Sequence, residues 1–296
     1  MNRFAGKFST YELLFVVGII GISFSSIFVR WSDADVAIIA MYRLYLTNLL
    51  LLPLVWRHRR ELFRLSGRQW GWLAFSGVML GLHFLLWMAS LRYTTVASST
   101  VILTLEPVFV MFGSYLLFGT KANRVMLIGM GLAFVGSFVI ASGDFSLSGD
   151  ALIGDVLSFL GAAAVAVHML IGKELRKDVS AFTYNFWVFA FAATALAAYN
   201  LVRGNAFGGY SGHDWGIFLL LAIVPTLFGH YLFNWLLKYM NAASVSMSVL
   251  GEPVIASLLA WILLKESLNG YQMAAGVLVL FGVWLFIRFG NETRKA

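Results

Sequence analysis

The chain has 296 residues, of which 60% are hydrophobic and 12% charged, with a net charge of +7 and no cysteine. A soluble domain carries about 25% charged residues, so this chain has too little polar surface to coat a water-soluble particle of its size and belongs in a bilayer. The lack of cysteine excludes disulfides and thiolate metal sites, and there is no Gly-x-x-x-x-Gly-Lys-[Ser/Thr] loop to cradle a nucleotide phosphate.

The first apolar run extends from near Tyr11 to about Phe28. It is too long for a signal-peptide core and lacks a small-residue cleavage site, so it reads as a retained first span. In chain order the apolar runs predict helices over about 11–30, 35–56, 69–91, 95–118, 124–142, 151–172, 181–202, 214–237, 241–264 and 269–288. The expected fold class is an all-α membrane protein of ten transmembrane helices.

Several of these helices carry residues that are costly in hydrocarbon. In helix 2, Arg43 is the only Lys or Arg well inside a span. It must pair with a carboxylate, bind carbonyls or face a wet cavity. That leaves a fixed ion pair with Glu106 or Glu252, or an anchor for a substrate carboxylate. Helix 3 holds His83 and Trp87 one turn apart, and a Gly77-x-x-x-Gly81 step suited to close packing. Helix 6 holds His168 near its inner end, where it is expected to reach the interface. Helix 8 repeats the His83 pattern with His230 and Asn234, flanked by Tyr231 and Trp235. These histidines either satisfy packing or face a cavity. No metal site is expected from them, since no carboxylate ligand or i,i+4 partner accompanies any.

Helices 4 and 9 each carry a Glu-Pro pair, Glu106-Pro107 and Glu252-Pro253. Proline removes an N–H, so the carbonyls one turn back, at Leu103 and Val249, should lose their usual donor. A carboxyl beside a kink at mid-depth is either a proton or cation site, or a protonated group bonded to a neighbouring helix and locking the packing. Stripes of small or polar residues accompany both, with Ser98 and Ser114 around Glu106, and Ser244, Ser248 and Ala256 around Glu252. Trp31, Trp56, Trp70, Trp72, Trp215 and Tyr271 sit at helix ends and read as an interfacial belt. Tyr42, Tyr45, Trp87, Trp187, Tyr231 and Trp235 lie deeper, and those facing the centre would suit an amphiphilic or aromatic molecule.

The two Glu-Pro pairs are 146 residues apart, and the spacing recurs in Leu91-Arg92-Tyr93 with Leu237-Lys238-Tyr239 and in Gly136 with Gly282. The chain therefore reads as two copies of one unit, 1–146 and 147–296. Of the 21 Lys and Arg, sixteen fall at the ends that share a side with the N-terminus, four at the opposite ends, and Arg43 within a span. This bias places both termini in the cytoplasm. It also accounts for the +7 charge without any nucleic-acid partner. Five spans per copy is an odd number, so the copies enter the membrane from opposite sides as inverted repeats, the arrangement used for alternating access.

The segments Leu103-Thr104-Leu105-Glu106-Pro107-Val108-Phe109 and Gly251-Glu252-Pro253-Val254-Ile255-Ala256-Ser257-Leu258-Leu259 resemble the paired signatures of the drug/metabolite transporter superfamily, in its ten-helix EamA branch. Leu263-Leu264-Lys265-Glu266-Ser267-Leu268 with Gln272, Gly276 and Gly282 is similar to that family's end-of-repeat pattern, and Tyr42-Arg43 to its helix 2. The first copy departs at Thr120, which aligns with Glu266, so Glu266 is assigned to a helix end and not to transport. The resemblance covers the whole chain. It implies a secondary transporter of small metabolites, an exporter, in a bacterial cytoplasmic membrane, with no cofactor and no enzymatic activity. Amino acids or related zwitterions are the first substrate class, lipophilic cations or nucleosides the alternative, and a structural or lipid-handling membrane protein the alternative outside transport. The candidate substrate-binding residues are Arg43, Tyr42, His83, Trp87, His230, Asn234 and Trp235, with Glu106 and Glu252 for proton or cation coupling. The expected partners are the substrate, the lipid bilayer and protons, and both monomer and dimer stay open.

Overall fold

The computed structural model describes residues 10–94, 96–141, 149–265 and 270–290. Among them every regular element is helical. Eight helices are long and apolar enough to cross a membrane, and two shorter apolar ones cover Arg124–Val139 and Met273–Phe289. The helices are α1 (Thr10–Trp31), α2 (Val36–Phe63), α3 (Gly67–Ser90), α4 (Val96–Leu103), α5 (Glu106–Phe118), α6 (Arg124–Ala141), α7 (Gly149–Leu175) and α8 (Ala181–Arg203). Then come α9 (Gly212–Leu221), a π-helical stretch (Ala222–Tyr231) and α10 (Leu232–Leu236). The last rods are α11 (Ala242–Ser246), a 3₁₀ turn (Met247–Gly251), α12 (Glu252–Leu259), a second π stretch (Ala260–Leu264) and α13 (Gly270–Gly290).

Local chemistry sets the ends. Asp35, Ser66, Ser180, Ser211 and Asn241 each accept a main-chain N–H from the first turn of the helix that follows, which satisfies donors that hydrocarbon could not. α2 outruns its predicted end at residue 56 by two turns. Its tail is Arg- and Glu-rich, meets no breaker before Ser66, and is made of good helix formers.

Three predicted rods are broken. The helix around Glu106 turns at Thr104–Leu105 between α4 and α5, and the one around Glu252 tightens to a 3₁₀ turn before α12. In that turn the Glu252 N–H bonds the Val249 carbonyl, so the expectation of a donorless carbonyl at Val249 is corrected: the chain tightens to supply one. The third break is at Pro225, inside the first π stretch. Pro225 cannot donate to Leu221 four residues back, and the Thr226 hydroxyl takes its place, donating to the Leu221 carbonyl at 2.7 Å.

The rods pair as α3 with α7 and α8, α2 with α8, α1 with the π stretch and α12, α5 with α7, and α6 with α13. The α6–α13 crossing is close because it is built on glycine. A Cβ on Gly129 would lie 2.6 Å from the Gly282 carbonyl oxygen, and one on Gly136 would lie 2.8 Å from that of Ala275. Gly282 and Ala275 stand 146 residues beyond Gly136 and Gly129, so the two contacts exchange partners under the sequence repeat. Two large apolar clusters form the interior. Many apolar side chains at the periphery, such as Leu49, Leu52, Leu116 and Val277, are exposed, as a lipid-facing surface requires. The arginine-rich tail of α2, Lys173 and Arg176 mark one end of the bundle, called here the basic end.

Candidate functional site

Between the two apolar clusters lies a cavity of about 50 Å³. From one cluster it is bordered by Trp87, Leu103 and Val249 and from the other by Ile22, Val165, Met169 and Phe233. Its polar lining is Ser25, His83, Glu106, His168, His230, Asn234 and Glu252. Four lining pairs keep the 146-residue spacing: Ile22 with His168, Trp87 with Phe233, Leu103 with Val249, and Glu106 with Glu252. The space holds about three to five waters, far less than a drug-sized pocket of roughly 300 Å³ or more.

The broken rods aim the carboxyls. Each Glu is the first residue of a new helix after a break, Glu106 at the start of α5 and Glu252 at the start of α12, and both are buried. Their charges act on each other, and Glu252 also interacts with Arg43.

Among the described residues Arg43 forms no ion pair, and the one ion pair present is Lys177 with Glu174, at the basic end. Arg43 is fully buried. Its Nε donates to Thr226 Oγ1 at 3.0 Å, its Nη1 to Ser25 Oγ at 3.3 Å, and its guanidinium lies 4.2 Å above the Phe84 ring. Hydrogen bonds from a charged group are worth about 1.5–3 kcal/mol each, and a desolvated cation–π contact about 2 kcal/mol. Together they exceed the cost of about 2.5–3.5 kcal/mol for an arginine at mid-membrane on insertion scales. The reading of Arg43 as a fixed partner of Glu106 or Glu252 is thereby corrected. Thr226, not among the expected site residues, has two tasks: it closes the Pro225 gap and receives Arg43.

The histidines form one wall. His83 Nδ1 lies 3.0 Å from the Gly161 carbonyl, and its ring stacks on Trp87 at 6.2 Å with 5° between planes. His230 meets Phe84 edge-on at 4.9 Å and His83 at 6.3 Å. His168, expected at the interface, is buried in the wall. Its Nδ1 lies 2.9 Å from Ser76 Oγ, which is itself 2.9 Å from the Tyr184 hydroxyl. The reason is that α7 runs to Leu175, with its basic residues beyond His168, so His168 sits two turns inside the helix end. Asn234 Nδ2 donates to Asn185 Oδ1 at 2.8 Å. Among the described residues no cluster of three metal-ligating side chains is present.

Two predicted site residues lie elsewhere. Tyr42 packs against Trp215, Tyr210 and Phe218 and donates to the Phe207 carbonyl. Trp235 packs against the tilted rings of Tyr11 and Tyr239 at the basic end. Tyr42 is a chain neighbour of Arg43, which stands behind the wall residue Ser25, and Trp235 of Asn234, which lines the cavity. Successive helical side chains diverge by about 100°, so Tyr42 and Trp235 turn away from it. Glu266, assigned to a helix end, lies outside the described residues.

A model of the EamA-like transporter family matches residues 9–142 and again 152–288. An uncharacterized transporter of Archaeoglobus fulgidus is 25% identical over 258 residues, spanning 87% of this chain and 89% of its own. The uncharacterized transporter YetK of Bacillus subtilis is 26% identical over 225 residues, spanning 72% of this chain and 66% of its own. A protein of known crystal structure superposes with a TM-score of 0.78 over 97% of this chain and 99% of that one, at 15% identity, a likeness of fold alone. With a family match over each Glu-Pro segment and transporters among its relatives, this chain belongs to the EamA-like transporter family and is a multi-pass membrane transporter of small molecules.

Proposed function

We propose that the protein exports amino acids or related zwitterions across a bacterial cytoplasmic membrane by alternating access. In this reading ten helices cross the bilayer as two inverted five-helix repeats, 1–146 and 147–296, with both termini in the cytoplasm. The observation that carries the substrate class is the separation of charge around one cavity. Arg43 stands behind Ser25 and forms no ion pair among the described residues, while Glu106 and Glu252 border the cavity. A zwitterion complements that set, its carboxylate towards Arg43 and its ammonium towards a glutamate. His83, Trp87, His230 and Asn234 shape the remaining wall, and the glutamates exchange the coupling proton. Export is assigned from the resemblance to the family's exporters.

A lipophilic cation or a nucleoside is the second reading, favoured by two carboxylates beside Trp87 and Phe233. The Arg43 charge opposes a cation in a low-dielectric space. The test is uptake into reconstituted vesicles of an amino acid panel, the matching carboxyl-free amines and the methyl esters, with and without a pH gradient, for wild type and Arg43→Gln. The zwitterion reading requires the free amino acids to lose most from the substitution. Amines as the best substrates, with transport intact in Arg43→Gln, would replace it with the cation reading.

A further inference from the structure

A buried N–H without an acceptor is uncommon and costs about 1–3 kcal/mol, so each one needs an account. Two such donors lie near the cavity: Trp87 Nε1, on a residue of its wall, and Arg43 Nη2, one layer behind the wall residue Ser25. Arg43 is 0% and Trp87 3% exposed. Trp87 is part of the cavity wall. Arg43 reaches the same wall through Ser25, which lines it and accepts from Nη1. The guanidinium covers the Phe84 ring, and Trp87 follows Phe84 by three residues on α3, on the same helix face. The indole is held in place, stacked parallel on His83, whose own ring is fixed at the Gly161 carbonyl.

We propose that Arg43 Nη2 and Trp87 Nε1 together form the carboxylate subsite of the transported molecule, each donating to the bound carboxylate. The proposal rests on the zwitterion reading and adds Trp87 as a specificity-determining residue. A carboxylate offers two oxygens with about four lone-pair positions, enough for both donors at once, and bonds of that kind are charge-assisted. A site built this way rejects analogues that leave its buried donors unpaired. A carboxyl-free amine would abandon both donors, and a methyl ester would present no charged oxygen to either.

The first arm uses acetate as a minimal carboxylate that suits the small cavity, with acetamide as its neutral control. Protein labelled with ¹⁵N-tryptophan in lipid nanodiscs gives ten indole resonances, one per tryptophan. That of Trp87 is assigned with Trp87→Phe, or with Trp87→Tyr should the first variant not fold. Acetate should move it downfield and saturably, acetamide should not, and Arg43→Gln should abolish the response. A Trp87 resonance indifferent to acetate, or equally sensitive to acetamide, overturns the subsite and leaves the indole as a donor to cavity water.

The second arm is transport. Trp87→Phe keeps an aromatic ring and deletes the N–H, so the KM for amino acids should rise about ten- to a hundred-fold, with that for the amines unchanged. Amino acid transport that depends on Arg43 but not on the Trp87 N–H overturns the subsite while the zwitterion reading stands. Acetate binding at Trp87 without amino acid transport overturns the zwitterion reading and leaves a carboxylate site.

Discussion

Arg30 and Arg176 stand 146 residues apart, at opposite ends of the bundle, and each reaches from the end of one helix to a main-chain carbonyl at or just past the end of another. Arg30 Nη2 donates to the Thr94 carbonyl at 2.9 Å. Arg176 Nε donates to the Asn234 carbonyl at 3.1 Å and its Nη1 to that of Val179. At the basic end Lys173 adds bonds of 2.7 Å to the Leu237 and Met240 carbonyls. Arg176 is 2% exposed, where Arg30 is exposed. The last carbonyls of a membrane helix have no donor in hydrocarbon, so a cation that caps them also ties two rods together.

These ties are expected to act as opposed latches. Arg176→Gln should make the cavity more reachable from the basic end, and Arg30→Gln from the other. The protein has no cysteine, so a single cysteine at Val165, in the cavity wall, reports directly. Losing charge-assisted bonds of about 1.5–3 kcal/mol should raise the labelling rate by an impermeant maleimide about ten-fold from the unlatched side. Right-side-out and inside-out vesicles separate the two sides. If both variants accelerate labelling from one side, the latches are not opposed.

The orientation itself has a simple check. Single cysteines replacing Arg60 and Lys177, both exposed, should react with an impermeant reagent only once the inner face is open. One replacing Gly209, in the exposed turn before α9, should react in intact cells. Labelling of positions 60 and 209 from one side would defeat the two-repeat topology.

Much of this architecture could be read before any coordinates, because it rests on period and cost. The 146-residue spacing brought out Glu106 and Glu252, and both border the cavity. Arg43 stood out because nothing makes a cation cheap at that depth. What escaped was set by partners remote in sequence or by direction around a helix. The Arg43 acceptors, Ser25 and Thr226, are 18 and 183 residues away, so no local pattern separates an ion pair from a hydroxyl cradle. Grouping Tyr42 and Trp235 with their chain neighbours ignores the 100° step of the helix. The interfacial place expected for His168 follows from a predicted helix end at 172, short of the observed Leu175. One signal for Thr226 was available: a hydroxyl directly after Pro225 can bond the carbonyl that the proline leaves open.

The glycine crossing of α6 and α13 predicts a stability effect. A Cβ on Gly282 would lie 2.7 Å from the Ala133 main-chain nitrogen, with backbone rather than a flexible side chain in the way. Overpacking of this kind costs about 1–3 kcal/mol, so Gly282→Ala should lower the thermal unfolding midpoint in detergent. Gly131 is on the same pair of helices but has nothing within 4 Å of its would-be Cβ. Gly131→Ala should keep or raise the midpoint, since alanine is the better helix former by about 1 kcal/mol. Equal effects of the two substitutions would mean that the close approach does not hold the helices together.

The glutamates are expected to differ in their part in coupling. Glu252 stands in the electrostatic field of Arg43 as well as of Glu106, so a change in its proton occupancy is felt at the proposed carboxylate anchor. Glu106 interacts with that anchor through Glu252. Glutamine preserves size and hydrogen bonding but cannot titrate. Glu252→Gln should therefore abolish accumulation driven by a pH gradient while substrate exchange at equal concentrations continues, and it should flatten the pH dependence of that exchange. Glu106→Gln should keep gradient-driven accumulation at a reduced rate, because Glu252 still exchanges its proton. Retained folding is checked by the unfolding midpoint, which a neutral, isosteric replacement should leave within about 1 kcal/mol of wild type in stability. The decisive comparison is accumulation at a fixed gradient across the two single variants and the double. If both single variants accumulate substrate like wild type with unchanged pH dependence, the carboxyls only lock the packing of α5 and α12, and the coupling ion must bind elsewhere.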